Sequence, residues 1–460
     1  MPSRQDQLHS YQYSLQRVVA ALVTHDPDPS RSPLRRAGMT ALVSLLIAAI
    51  AVGGAALYGL FTGQSSVNPR DSKVVFQEKG TGARFVYLES DRKLHPVLNY
   101  ASGLLLSTGQ SPELTSVSAE KLATVQLGAP LGIPGAPDSL PASSQLLTER
   151  WSVCSENLGA STPPRSTLLV GAKLTDGTLA VKARKAMLVR GTDARSYLVF
   201  GNRRFTIPAT QQAATLSVLG WNDQQPWPAA AAWINSIPLG PDLVAPTVPS
   251  SGTSVTGYPV GQLVTDGKQF AVILPDGAAD LTDVQGRLMQ VSGSPAVKIG
   301  AAFIPLKRTK TPLTDANDPN GLPATVPALV STPPSRVCMT LPVDKQAGDG
   351  IRIDPNVPTG VAVAGTPVAP GTALADLVYV ERGKGAVVVG AASTSAPEDS
   401  GTVGIVTDTG RLYPLANRSL LEKLGYAGVK PLQVPAQLVG MLPRGSALDP
   451  VQARKTNPQG

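Results

Sequence analysis

The chain has 460 residues, 42 of them Pro and 44 Gly, with aromatic residues at only 5% and charged residues at 16%. An apolar share of 42% is too high for a disordered chain, so the composition describes a loop-rich globular protein long enough for two or more domains. The formal net charge of +8 divides into +2 over residues 1–38 and +6 over residues 62–460. That is a weak field with no basic stripe interleaved with aromatics, which argues against nucleic acid as a partner.

Residues 5–23 predict a helix. Leu8, Tyr11, Leu15, Val18 and Leu22 recur at steps of three and four and so share one face. Asp26-Pro27-Asp28-Pro29 then ends it, because proline cannot continue the hydrogen-bond ladder. The helix has no domain of its own to pack on, so the stripe needs a partner. A helix lying in the membrane interface is the rival reading, but Arg17 is the only cation on the polar face, which favours docking on a protein.

From Met39 to Phe61 no residue is charged. At about 1.5 Å per residue this run makes a helix of roughly 34 Å, enough to cross a hydrocarbon core of about 30 Å. Arg31, Arg35 and Arg36 precede it, and the next Lys or Arg after it is Arg70. The positive-inside bias therefore keeps residues 1–38 in the cytoplasm and exports residues 62–460. The apolar run exceeds the usual h-region of about 7–15 residues and no small-x-small site follows, so an uncleaved anchor is expected rather than a signal peptide.

The exported part repeats itself. Arg84–Leu88 leads through Ser90-Asp91 to a strand ending at His95-Pro96, and Asn99 then caps a short helix through Leu106. Tyr197–Phe200 turns at Gly201-Asn202 into Phe205-Thr206-Ile207-Pro208, with a helix closing at Leu219-Gly220. Phe270–Leu274 turns at Asp276-Gly277 ahead of a helix from about Asp283 to Val291. Val403–Val406 turns at Thr409-Gly410 into Leu412-Tyr413-Pro414, with Asn417 capping a helix that ends at Leu424-Gly425. This is hairpin chemistry followed by helix start and stop signals. Downstream, the repeats carry Pro130-Leu131-Gly132, Pro238-Leu239-Gly240 and Pro443-Arg444-Gly445, degraded to Pro305-Leu306-Lys307 in the third. Four related units of irregular spacing predict a compact pseudo-symmetric assembly from internal duplication.

The intervening segments, 143–193 and 329–400, hold short β-rich runs such as Ala386–Val389 and the two cysteines, Cys154 and Cys338. In an exported compartment an even cysteine count suggests one long-range bridge tying both segments into a central β core; two unrelated buried thiols are the alternative.

Catalytic patterns are sparse. Of three histidines only His95 lies in the exported part, where a half-exposed structural imidazole before Pro96 is expected rather than a triad base. Clustered zinc ligands are lacking, and no cofactor is expected. The scattered Asp and Glu read as surface solvation, although a glycosidic carboxylate pair leaves no sequence signature to test. The Gly-Lys pairs, Gly267-Lys268-Gln269 and Gly383-Lys384-Gly385, do not continue into the Ser or Thr of a phosphate-binding loop, so nothing supports nucleotide hydrolysis.

Taken in order, Gln7, Tyr11, Arg17, Ala21-Leu22-Val23, Asp26 and Pro33-Leu34-Arg35 resemble the N-terminal signature of EccB, the B component of the actinobacterial type VII (ESX) secretion machinery. The single span, Trp151-Ser152-Val153-Cys154, the lone Cys338 and Gly383-Lys384-Gly385-Ala386 match the rest of that plan, and Gln16 departs from it where relatives often carry a second Arg. The resemblance covers essentially the whole chain. It implies four repeats around a central core, a disulfide between Cys154 and Cys338, and a membrane assembly with the C, D and E components in which the C component is the motor. An ATPase label sometimes travels with the family, and its repeats resemble a cell-wall-binding fold from a phage lysin.

The expectation is therefore an α+β protein: a cytoplasmic amphipathic helix and basic linker (1–38), a transmembrane helix (39–61), and an ectodomain of four hairpin-plus-helix repeats around a central β core. The boundaries are 62–142 (linker and first repeat), 143–193 (core), 194–250 (second repeat), 251–328 (third), 329–400 (core), 401–450 (fourth) and 451–460 (tail). The expected role is a non-enzymatic, single-pass scaffold of the cell membrane that binds the other core components and copies of itself. A membrane-anchored wall-binding protein is the second reading.

Overall fold

A computed structural model of the chain describes residues 3–25, 33–62, 67–248 apart from 149 and 160, 254–310 apart from 294, then 313, 318, 320–343, 348–363, 373–392, 396–397 and 401–456. Helix α1 (Arg4–Thr24) opens on a capping box in which Ser3 and Asp6 satisfy each other's backbone N–H, and closes on His25 in the left-handed conformation. Helix α2 (Pro33–Thr62) starts six residues before the expected span, inside the segment read as a linker, because Pro33 at the first helical position is preorganised for a helix. Residues 26–32, which hold the expected stop signal, lie outside the described residues.

Beyond α2 come 23 described strands. Unit I holds β1 (Val75–Glu78), β2 (Arg84–Leu88), β3 (Lys93–Pro96), helix α3 (Tyr100–Leu106) and β4 (Leu114–Val117). After it follow β5 (Trp151–Glu156), β6 (Arg165–Leu169) and β7 (Thr178–Leu179). Unit II has β8 (Met187–Arg190), β9 (Ser196–Phe200), β10 (Arg203–Ile207), α4 (Gln212–Val218) and β11 (Trp227–Pro228). In unit III are β12 (Leu263–Thr265), β13 (Phe270–Leu274), β14 (Gly277–Leu281), α5 (Asp283–Met289) and β15 (Val297–Lys298). Next come β16 (Arg336–Leu341), β17 (Gly350–Ile353), β18 (Val361–Ala362) and β19 (Leu377–Tyr379). Unit IV ends the series with β20 (Ala386–Ala391), β21 (Val403–Val406), β22 (Leu412–Pro414), α6 (Leu420–Lys423) and β23 (Leu432–Pro435).

Each unit forms a four-stranded sheet in the spatial order third, second, first, fourth, with the hairpin antiparallel and the fourth strand parallel to the first. A parallel return needs a crossover, and the helix after the hairpin supplies it. Asn99 caps α3 by accepting from the Ser102 amide, as expected, but Asn417 does not cap α6. Its carboxamide accepts from the Ser419 amide and closes a turn three residues ahead of the helix, a local bond that competes with a cap.

The first strand of a unit lies before the hairpin, and this moves two expected boundaries. Met187–Arg190 falls in the 143–193 segment and Ala386–Ala391 in the 329–400 segment, yet both pair inside units II and IV rather than in the core sheet. A short buried apolar run looks alike in any sheet, whereas a hairpin turn marks only the second and third strands.

The remaining strands build a seven-stranded sheet in the order β18-β19-β6-β5-β16-β17-β7. At its centre β5 and β16 run antiparallel with Cys154 opposite Cys338, and the two cysteines are disulfide-bonded. In the same register Arg165, Glu156 and Arg336 form a row across β6, β5 and β16, with the carboxylate between the two guanidinium groups.

The units pack out of chain order. Val86, Leu104 and Leu105 of unit I share one cluster with Val387, Tyr413, Leu421 and Tyr426 of unit IV. Leu198, Phe205 and Trp221 of unit II share another with Val284 and Leu288 of unit III. The core sheet joins the two pairs, because Trp151, Val337 and Ile351 share one cluster with Val189, Trp227 and Trp233 and with Val388, Leu432 and Leu438.

Candidate functional site

The five side chains of the expected docking stripe are all exposed, from 49% for Leu15 to 75% for Leu22, with Leu8, Tyr11 and Val18 between. Burying such a side chain is worth about 1.5–3 kcal/mol, so a helix presenting five of them along one face has a large gain available from a partner. Tyr13 is exposed as well, off the stripe, with the Arg17 guanidinium 5.9 Å from its ring centroid. Helix α2 is the next element in the chain. Within it Gly38–Tyr58 forms a stretch long and apolar enough to span a membrane, and its Leu42, Leu45, Ile47, Ile50 and Leu57 face outward all round, as lipid requires.

His95 is 6% exposed, not half-exposed, with both ring nitrogens in hydrogen bonds, so it has no free nitrogen to act as a base. No group of three or more metal-ligating residues exists among the described residues. Gly267-Lys268 sits in the β12–β13 turn, where the Asp266 carboxylate accepts from the Lys268 and Gln269 amides. Gly383-Lys384 lies between β19 and β20 with Lys384 Nζ on Glu381, 2.9 Å away. A phosphate cradle needs free amides at a strand-to-helix turn, and both loops instead spend their donors on carboxylates.

A closing motif recurs in every unit, and sequence reading aligned it wrongly in two. One residue of the third strand donates to a loop carbonyl and accepts from the amide two residues further on. The pairs are Leu94 with Gln126 and Gly128, Arg204 with Pro238 and Gly240, Ala278 with Lys307 and Thr309, and Leu412 with Pro443 and Gly445, all at 2.7–3.0 Å. The first unit's counterpart is thus Gln126-Leu127-Gly128, not Pro130-Leu131-Gly132, and the third's is Lys307-Arg308-Thr309, not Pro305-Leu306-Lys307. Proline misled because this position supplies only an acceptor, which any residue provides. The signal that could have found the motif is the glycine facing a ring: a Cβ on Gly128, Gly240 or Gly445 would overlap His95, Phe205 or Tyr413. Unit III has Ala279 at the ring position and Thr309 at the glycine position, so ring and glycine are lost together.

A membrane-anchored ectodomain of four like sheets on a disulfide-joined core, with an amphipathic helix ahead of the span, defines a single-pass structural membrane protein. The chain belongs to the family described as type VII secretion system ESX-1, transport TM domain B (EccB), whose model matches residues 1–458. It is 28% identical over 341 residues to the ESX-5 secretion system ATPase EccB5 of Mycobacterium marinum, covering 70% of this chain and 65% of that protein. It is 25% identical to the ESX-3 secretion system ATPase EccB3 of Mycolicibacterium smegmatis, covering 98% of this chain and 91% of that one. Its fold is similar to a chain of an intact ESX-5 inner membrane complex, with a TM-score of 0.63 at 21% identity over 99% of this chain and 96% of that chain. It is also similar to the EccB3 dimer from the ESX-3 core complex, with a TM-score of 0.60 at 23% identity over 83% and 100%.

Proposed function

We propose that this chain is a structural subunit of a type VII secretion membrane complex, with α1 in the cytoplasm, α2 in the membrane and the four-unit body on the outer side. Its work is to hold the assembly together: α1 docks on other core components through Leu8, Tyr11, Leu15, Val18 and Leu22, and the body braces neighbouring copies of itself. The exposed apolar stripe of α1 carries this reading, since a face of five unburied side chains beside a membrane anchor is stable only against a partner. Membership of the EccB family supplies the kind of assembly, and solved complexes of that fold, one of them a dimer, support self-association.

Several relatives are called ATPases, but the reading for this chain is a subunit without nucleotide hydrolysis. Neither Gly-Lys loop has the sequence of a phosphate-binding loop, and both close on carboxylates. The test is gentle detergent extraction of the tagged protein from its own membranes, then native gel and mass spectrometry of what remains bound. A large complex with a multidomain ATPase and polytopic partners is expected. A lone monomer that persists after cross-linking before extraction would overturn the scaffold reading.

A further inference from the structure

Sheet edges in this body differ in how they are closed. The third strand of each unit is met by the closing loop, and the core sheet ends in two-residue strands, β18 and β7. Among the fourth strands, β11 contains Pro228, β15 is two residues ending in Lys298, and β23 ends in Pro435. Short length, proline and lysine all keep an edge from pairing with another chain. Strand β4 has none of them: Leu114-Thr115-Ser116-Val117 is four uncharged residues without proline.

The phase of the β1–β4 pairing leaves that edge open. In parallel register, the Val75 amide donates to the Glu113 carbonyl and the Lys79 amide to the Val117 carbonyl. Backbone groups alternate in direction along a strand, so Thr115 bonds to β1 while Leu114 and Ser116 turn N–H and C=O away from the sheet. Both residues are exposed, Leu114 at 41%, and neither backbone has a partner among the described residues.

We propose that β4 is a self-pairing edge, on which the β4 strand of a second copy adds antiparallel about a two-fold axis through Thr115. This rests on the self-association proposed above and names its surface. Leu114 then exchanges both backbone bonds with the partner's Ser116, Ser116 does so with the partner's Leu114, and Thr115 stands opposite its own copy. The register opposes Thr to Thr, Leu to Ser and Glu113 to Val117, so no like charges meet. An uncharged edge has nothing with which to select an acidic or basic partner strand. Two copies anchored in one membrane share an orientation, which a two-fold axis along the membrane normal preserves. Only residues 63–74 separate α2 from β1, so unit I stays within roughly 45 Å of its anchor. Shared anchoring thus raises the effective concentration of one edge for another, as so short a ladder requires.

Cysteine trapping of the full-length chain in its own membranes tests the register. Cys154 and Cys338 are bridged to each other, so an introduced thiol is the free one. The Thr115 pair is of the non-hydrogen-bonded kind, with Cα atoms about 4.5 Å apart, close enough for a disulfide. The two copies of Leu114, and of Ser116, stand on diagonals of about 8 Å, too far to bridge. Under mild oxidation Thr115→Cys should therefore give at least about tenfold more covalent dimer than Leu114→Cys or Ser116→Cys. Adding Ser116→Pro to Thr115→Cys removes an outward donor but no bond to β1, and should abolish the dimer. Equal yields at the three positions, or no Thr115→Cys dimer, would overturn the pairing. If amine-reactive cross-linking of the natural protein still gives dimers, this edge alone falls; if it gives none, the self-association falls with it. Loss of another subunit from the Ser116→Pro extract, without any Thr115→Cys dimer, would assign the edge to that subunit and equally overturn the proposal. Should Ser116→Pro disturb unit I, the contrast among the three cysteine positions still decides.

Discussion

Gly240 lies against the Phe205 ring, so close that a Cβ on the glycine would occupy the ring's space. The two residues meet because Arg204, just before Phe205, exchanges backbone hydrogen bonds with Pro238 and Gly240. Gly240→Ala therefore forces either the ring or the loop aside, and overpacking of this kind costs about 1–3 kcal/mol. Thr309→Ala in unit III is the contrast. Ala279 leaves room for a Cβ there, so that variant should lose only the Thr309 hydroxyl's bond to Asp276, about 1 kcal/mol or less. Thermal melts of both variants against the natural protein check the difference, and equal losses would refute the ring–glycine account.

Removing the bridge with Cys154→Ala and Cys338→Ala together should cost up to roughly 5 kcal/mol, since the linked residues are 184 apart and the unfolded chain regains the entropy of that loop. Both cysteines are buried, and alkylation without reduction should leave the intact mass unchanged. Two labelled thiols would show that the bridge does not form in the cell.

Glu156 titrates with a predictable sign. Burial pushes its carboxyl up, but the hydrogen bonds from Arg165 and Arg336 outweigh burial and hold it below the ordinary glutamate value. A depressed folded-state value means that this stability is present above the unfolded value, near 4.3, and is lost as the pH falls through the folded one. Glu156→Gln should cost about 1–3 kcal/mol at neutral pH and remove part of the destabilisation seen between about pH 5 and 3. Denaturant midpoints across that range measure it, and parallel curves for the two proteins would contradict the assignment.

Leu15→Asp with Leu22→Asp places two charges on the exposed α1 stripe. Because Leu15 and Leu22 are exposed and α1 packs mainly on α2, the melt of the body should stay within about 0.5 kcal/mol while co-purifying subunits are lost. Unchanged co-purification would sink the docking role of this face.

Some of this was settled by the chain alone. An uncharged run of 23 residues after paired arginines dictates a span, and steps of three and four dictate a helical stripe, because both follow from local geometry. Hairpin turns such as Gly201-Asn202 were legible for the same reason: Asn202 sits at φ 62°, where few side chains are tolerated. The first strand of each unit has no turn to announce it, and the closing loop reveals itself only through the residue two strands away that it bonds. Nothing local says that unit I packs on unit IV and unit II on unit III, since apolar faces of similar shape would fit other pairings equally well in a linear reading. Tertiary structure decided it: β5 and β16 pair across 184 residues with Cys154 opposite Cys338, and the core sheet they centre gathers residues of units II and IV into one cluster. It also decided the surroundings of His95, whose two ring nitrogens meet a turn four residues back and a loop 34 residues ahead.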